Sequence, residues 1–172
     1  KSKGILGINI GPNKNTKDQK KDFCLGVENF LDICDYITIN ISSPNTEGLR
    51  DFHDQEKLKD LLIALNKIKK NNKIDTPLLL KVSPDIEDGY ISEIVSIAIE
   101  NNISAIVITN TTNGNREHLI NSSKKEEGGL SGVPLQQAST DMIKKFYKEL
   151  EGKIPIIGVG GINSGKSAYQ KI

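Results

Sequence analysis

The chain has 172 residues, enough for one sizeable core, and its 23 basic and 22 acidic side chains nearly cancel. That balance leaves no global field to favour nucleic acid or an anionic membrane. Apolar residues are 36% and aromatics 5%, and no apolar run nears the roughly 20 residues of a membrane helix.

Gly4 to Ile10 reads as a first strand, closed by Gly11-Pro12-Asn13. From about Thr16 to Cys34, Phe23, Val27, Phe30, Leu31 and Cys34 recur at three- and four-residue steps, predicting a helix with those side chains inward. A second strand, Tyr36 to Ile39, is rich in β-branched residues and runs into Asn40-Ile-Ser-Ser-Pro-Asn-Thr-Glu-Gly-Leu-Arg50. A helix from about Asp54 to Lys69 would bury Leu58, Leu61, Leu62, Leu65 and Ile68. Strand three is Leu78 to Val82, halted by Ser83-Pro84-Asp85. A helix from about Glu87 to Asn101 follows, burying Ile91, Ile94, Val95 and Ala98. Ala105 to Thr109 is the fourth strand, and a long polar loop from Asn113 to Gly132 comes after it. A further helix is marked by Leu135, Met142, Ile143, Phe146, Tyr147 and Leu150. Strand five is Ile154 to Val159, and Ser164 is placed to cap another helix.

Alternating strands and helices with continuous apolar strands predict an α/β fold with a parallel sheet. Pattern alone leaves an open doubly wound sheet and a segment of a (β/α)8 barrel both open. Polar residues cluster at the C-terminal end of every strand, where barrel enzymes keep their chemistry, which favours the barrel. The chain starts at Lys1 and ends inside a predicted helix, so it is expected to be a piece of a longer protein.

The strand ends offer Asn9, Asn40, Lys81, Thr109, Asn110 and Thr111. These are neutral amides and hydroxyls with one cation. No carboxylate pair suits a glycosidase, and no histidine accompanies a serine as a hydrolase triad would require. Amides suit a planar ligand with alternating donors and acceptors, such as a pyrimidine or flavin ring, and Lys81 suits an anion or developing negative charge. Cys24 and Cys34 form no metal-ligand pattern and are expected to be buried free thiols. His53 and His118 lack companions at ligand spacing and are expected on the surface.

Gly128-Gly-Leu-Ser-Gly132 and Gly158-Val-Gly-Gly161 are candidate phosphate cradles, since glycines let backbone N–H groups approach an anion. Gly160 to Ser167 also matches GxxxxGK[ST] between a strand and a predicted helix, so a nucleotide triphosphatase is a rival. Against that rival, the loop usually opens its fold, and here four strands precede it.

Taken together, GINIGPNK, NISSPNTEGLR, LLLKVSPD, VITNTT, GGLSGVPL and PIIGVGGINSG resemble the dihydroorotate dehydrogenase family, in its order and over nearly the whole chain. Serine at position 43, where class 1 members carry cysteine, places the resemblance with the quinone-linked class 2 enzymes. The resemblance implies an FMN-binding barrel, of which residues 1–172 are about five strand–helix units, oxidising (S)-dihydroorotate to orotate in pyrimidine synthesis. It implies Ser43 as the base, with Thr46 the nearest relay candidate in sequence. It also implies Asn40, Asn45, Asn110 and Thr111 on substrate, and Asn9, Asn40, Lys81 and Thr109 on the flavin. Ser131, Gly132, Gly160 and Gly161 fall at the phosphate end, leaving Lys166 incidental. The family's N-terminal helical segment and its first and last strands would lie outside this chain. Quinone use and peripheral attachment to a bacterial inner membrane, or a mitochondrial one in a eukaryote, follow from the class alone. The same residues also leave room for a related FMN barrel acting on another pyrimidine, and for a non-catalytic fragment that only binds partners.

Overall fold

The computed structural model describes residues 4–114 and 116–172. Five strands form one sheet in the order β1(Gly7–Ile10), β2(Tyr36–Asn40), β3(Leu78–Val82), β4(Ala105–Ile108) and β5(Ile156–Gly158). Every neighbouring pair is parallel. The crossovers carry α1(Gln19–Phe30), α2(Gln55–Asn72), α3(Ile91–Glu100) and α4(Gln136–Leu150), and a short α5(Gly165–Tyr169) follows β5. Helix starts are set by local chemistry. Asp18 accepts from the Lys21 N–H at 2.9 Å, and Asp54 accepts from the Glu56 and Lys57 N–H groups at 3.1 and 3.2 Å. Each such cap satisfies amide donors that the first turn leaves unpaired.

Strand residues alternate between two faces. Ile37, Ile39, Leu78, Leu80, Val82, Ile106 and Ile108 point to the helices, where Phe23, Leu58, Leu61, Leu65, Ile94 and Phe146 meet them in the main core. Each fully buried side chain of this size contributes about 1.5–3 kcal/mol. On the opposite face Tyr36, Leu79, Ala105 and Val107 make a second, smaller cluster near the strand starts. Further along the same strands, this face carries Asn40 and Lys81, which are register partners. The candidate site residues Asn40 and Lys81 therefore occupy the C-terminal half of the face that, among the described residues, lies away from the helices.

Several expected boundaries shift. β1 begins only at Gly7, since Ile5 and Leu6 project into solvent. β5 is three residues long, for Ile154 packs in the core ahead of the strand. Phe30 is at the end of α1 and 38% exposed, so it is not part of the inward stripe. The helix expected from Glu87 opens as a 3-10 turn, Asp88–Tyr90, before α3. The loop after β4 is more structured than its polarity predicts. Thr112 and Leu130 pair as an antiparallel bridge, and the Arg116 guanidinium donates to the carbonyls of Glu126 and Gly128.

Candidate active site

The end of β2 and the end of β4 are joined by a hydrogen-bonded cluster. The Asn110 amide donates to Asn40 Oδ1 at 3.1 Å and to Ser42 Oγ at 3.0 Å. Ser42 in turn donates its hydroxyl to Asn40 Oδ1 at 2.8 Å, and Asn110 Oδ1 accepts from the Thr111 N–H at 2.8 Å. These bonds fix which way each amide faces, because a flipped Asn110 would set donor against donor at Thr111. Asn40 and Asn110, 70 residues apart in sequence, are thus held as one unit. Ser42 is fully buried at its centre.

Ser43 and Asn45 stand next to this cluster on the loop after β2. Ser43 is half-buried, and its Oγ accepts from the Asn45 N–H at 3.3 Å. Among the described residues, Ser43 and Thr46 share no side-chain hydrogen bond. The turn Gly128-Gly129 lies over the loop. A Cβ on Gly129 would collide with the Thr111 side chain and stand 3.1 Å from Pro44 Cγ, and one on Gly128 would stand 3.7 Å from Asn45 Oδ1. The first glycine pair is therefore packed against Pro44, Asn45 and Thr111.

Lys81 is half-buried beside Asn40, and burial alone pushes its pKa below the ordinary lysine value. Among the described residues it has no carboxylate partner, so its charge faces the open side of the sheet uncompensated. Asn9 lies in register with Thr38 on β1 and is exposed. Thr109 is buried just past β4, its hydroxyl donating to the Asn110 carbonyl at 2.9 Å.

The remaining glycines gather at the start of α4. Gly132, at φ 76°, leads into the turn Val133–Leu135 that opens this helix. Gly160 and Gly161, at φ 117° and 71°, adopt conformations that favour glycine. A Cβ on Gly160 would press on Leu135 and Ser139, and one on Gly161 on Gln136. Both predicted turns thus converge on one helix N-terminus, a place where backbone N–H groups favour an anion. Ser131 is exposed at the approach.

The family model described as "Dihydroorotate dehydrogenase" matches residues 1–172. The chain belongs to the dihydroorotate dehydrogenase family. Relatives include the mitochondrial dihydroorotate dehydrogenase (quinone) of Arabidopsis thaliana, 40% identical over 98% of this chain and 38% of its own length. The quinone enzyme of Wigglesworthia glossinidia brevipalpis is 46% identical over 99% of this chain and 52% of its own. A crystal structure of the Eimeria tenella enzyme in complex with ferulenol superposes with a TM-score of 0.93 at 34% identity, over 98% of this chain and 49% of that one. The chain spans about half the length, or less, of these relatives, and its five-stranded parallel sheet is part of a TIM-type barrel.

The residues present fit a flavin mononucleotide of the kind this family's resemblance implies. Amides and hydroxyls that suit a planar heterocycle line one face. A half-buried cation with no carboxylate partner among the described residues sits among them, and two glycine turns meet at the N-terminus of α4. The phosphate-loop rival finds less support. Ser167 is 4% exposed, and its hydroxyl is engaged with Asn163 and Ser164 in the capping box of a five-residue helix. Lys166 is exposed.

Two expectations outside the site are corrected. His53 is half-buried instead of fully exposed: its Nε2 is buried without a hydrogen-bond partner among the described residues. Burial first, then the nearby Arg50 charge, pushes its pKa down to about 4, against an upward pull from Asp85. Cys24 and Cys34 are free but only half-buried, with burial raising both thiol pKa values. His118 is exposed as expected. Sequence reasoning passed over Ser42, Asp85 and the packing of Gly129. A serine sandwiched between Asn40 and Ser43 offered a weak signal for the first, and nothing in the local sequence marked the other two.

Proposed function

We propose that the full-length protein oxidises (S)-dihydroorotate to orotate, with FMN as its bound redox group and a quinone as final electron acceptor. The observation that carries this reading is the Asn40–Ser42–Asn110 unit, flanked by Ser43 on one side and Lys81 on the other. It offers pre-oriented amide donors and acceptors to a flat pyrimidine ring, with a hydroxyl at its margin and a cation beneath. Residues 1–172 are then part of one flavin-binding barrel. An N-terminal helical segment outside them provides peripheral association with a bacterial inner membrane or a mitochondrial one.

Bound FMN supplies the acceptor for the hydride that leaves C6 of the substrate. Ser43 Oγ takes the C5 proton while its own hydroxyl proton leaves through a relay to solvent, as the C5–C6 double bond forms. A serine hydroxyl is a poor base, so negative charge developing on Oγ needs a donor. The Asn45 N–H, already 3.3 Å from that oxygen, is such a donor. Asn45, Asn110 and Thr111 hold the ring edge, and Asn40 is shared between substrate and flavin. Asn9 and Thr109 hold the flavin ring. Lys81 offsets negative charge gathering on that side of the site. Ser131, Gly132, Gly160 and Gly161 hold the phosphate at the start of α4.

The test is anaerobic mixing of the full-length flavoprotein with dihydroorotate while following the oxidised-flavin absorbance band. Rapid bleaching is expected. A flavin that stays oxidised would overturn the substrate, and a full-length protein purified without flavin would overturn the cofactor.

A further inference from the structure

Behind the loops that carry Ser43, Asn45, Asn110 and Thr111 lies a second polar cluster that none of the chemistry above uses. Its centre is Asp85, on the turn after β3. The turn is held by Ser83, whose hydroxyl is fully buried and accepts the Asp85 N–H at 3.1 Å. One carboxylate oxygen accepts a short hydrogen bond from the Thr112 hydroxyl. The other accepts from the Asn113 N–H at 3.0 Å and lies 3.0 Å from the Arg50 guanidinium. Thr112 Oγ1 also accepts from the Gly114 N–H at 2.8 Å. The Arg50 and Asp85 side chains are only 29% and 25% exposed, so solvent screens this pair less than a surface one.

Each partner belongs to a different loop. Arg50, in the turn Leu49–His53, ends the loop after β2 that carries Ser43 and Asn45. Thr112 and Asn113 follow Asn110 and Thr111 directly on the loop after β4. One carboxylate therefore ties three strand ends together from behind, while the reactive side chains face forward. We propose that Asp85 is a positioning residue, setting the spacing between the loop that bears the base and the loop that bears the pyrimidine-binding amides. It touches neither substrate nor flavin. It acts through Arg50 and Thr112, so its loss lets the two loops separate without emptying the flavin site. The proposal rests on the dihydroorotate reading for its ligand and on the loop geometry alone for the bracket.

The test uses the full-length flavoprotein and two variants. Asp85→Asn keeps the size of the side chain but removes the charge, and Thr112→Val removes one donor isosterically. Three quantities are read: flavin content, the dissociation constant of orotate from its perturbation of the flavin spectrum, and amide hydrogen exchange along the chain. Both variants should retain flavin. Asp85→Asn should weaken orotate about tenfold and Thr112→Val about threefold, the scale of losing a hydrogen bond to a charged group or part of one. Exchange should quicken in residues 42–50 and 110–114 together, with α2 and α3 unchanged. Orotate affinity within about twofold of wild type in both variants, or faster exchange confined to 112–114, would overturn the proposal. Should Asp85→Asn fail to fold, Thr112→Val decides by the same criteria. A wild-type protein that ignores orotate would refute the pyrimidine reading, while the exchange data would still report on the bracket.

Discussion

A single methyl group at Gly129 should disable the site without removing any side chain assigned to it. A Cβ built there lies 2.5 Å from Thr111 Cβ, overlaps the Thr111 hydroxyl, and stands 3.1 Å from Pro44 Cγ. Carbon atoms rest at about 3.5–4.0 Å, so Thr111 must retreat by roughly 1 Å or the Gly128-Gly129 turn must lift off. Neither move is free. The Thr111 N–H is bonded to Asn110 Oδ1, so displacing it drags the amide that orients Asn40 and Ser42. Lifting the turn works against the Thr112–Leu130 bridge. Overpacking of this kind costs about 1–3 kcal/mol in stability, and a displacement of about 1 Å at reacting groups costs on the order of 10² in rate. Gly129→Ala in the full-length protein should therefore bind flavin normally while its reduction by dihydroorotate, followed anaerobically by stopped-flow, slows about 10²-fold. Gly89→Ala is the control, because a Cβ there meets nothing within 4 Å. A Gly129→Ala rate within about threefold of the control would refute the packing argument.

Three further outcomes follow from the assignments. Ser43→Ala should keep its flavin but lose about 10²–10⁴ in the rate of flavin reduction, and an unchanged rate would remove Ser43 as the base. Lys166→Ala should leave that rate within about twofold, since Lys166 is exposed and meets no assigned group; a large loss would revive the triphosphate loop. His53 gives a pH signature. Its folded pKa of about 4 lies below the ordinary 6.5, so on acidification the unfolded chain takes up the proton first. Stability is then complete above 6.5 and declines as the pH falls from 6.5 to about 4, by at most about 3 kcal/mol. Urea unfolding of wild type and His53→Gln at about pH 7 and about pH 4.5 should show a smaller acid loss in the variant. Equal losses would show that His53 is not the group responsible.

The fold was legible wherever a single period ruled a segment. Leu58, Leu61, Leu62 and Leu65 repeat along one stripe of α2 and are all buried. Leu78 to Val82 is apolar except for Lys81 and is β3. Legibility failed where tertiary context decided. Phe30 keeps the helical spacing of its neighbours and ends α1, yet it is 38% exposed while Leu31 after it is buried in the core. His53 sits in a charged stretch, Arg50-Asp51-Phe52-His53-Asp54, that reads as surface, yet the turn Leu49–His53 folds it in next to Arg50 and Asp85.

The site was read in the same uneven way. Amides at strand ends announce themselves, because a buried sheet has few reasons to place Asn40 or Asn110 there except to meet a ligand or each other. Here they do meet each other, and the bond between them is what makes the predicted set one site instead of several loops. What holds those loops in place was invisible for a physical reason. Asp85 after Ser83-Pro84 looks like any turn aspartate, and its meaning comes only from Arg50, 35 positions earlier, and Thr112, 27 later. Motifs that bear chemistry are local, since reacting groups must be delivered by one loop at a time. The bonds that space the loops are long-range by necessity, and a charge is suited to them because it can accept from several loops at once. In this chain the groups proposed to react are therefore readable from sequence, and the groups proposed to hold them at the right distance are readable only from the fold.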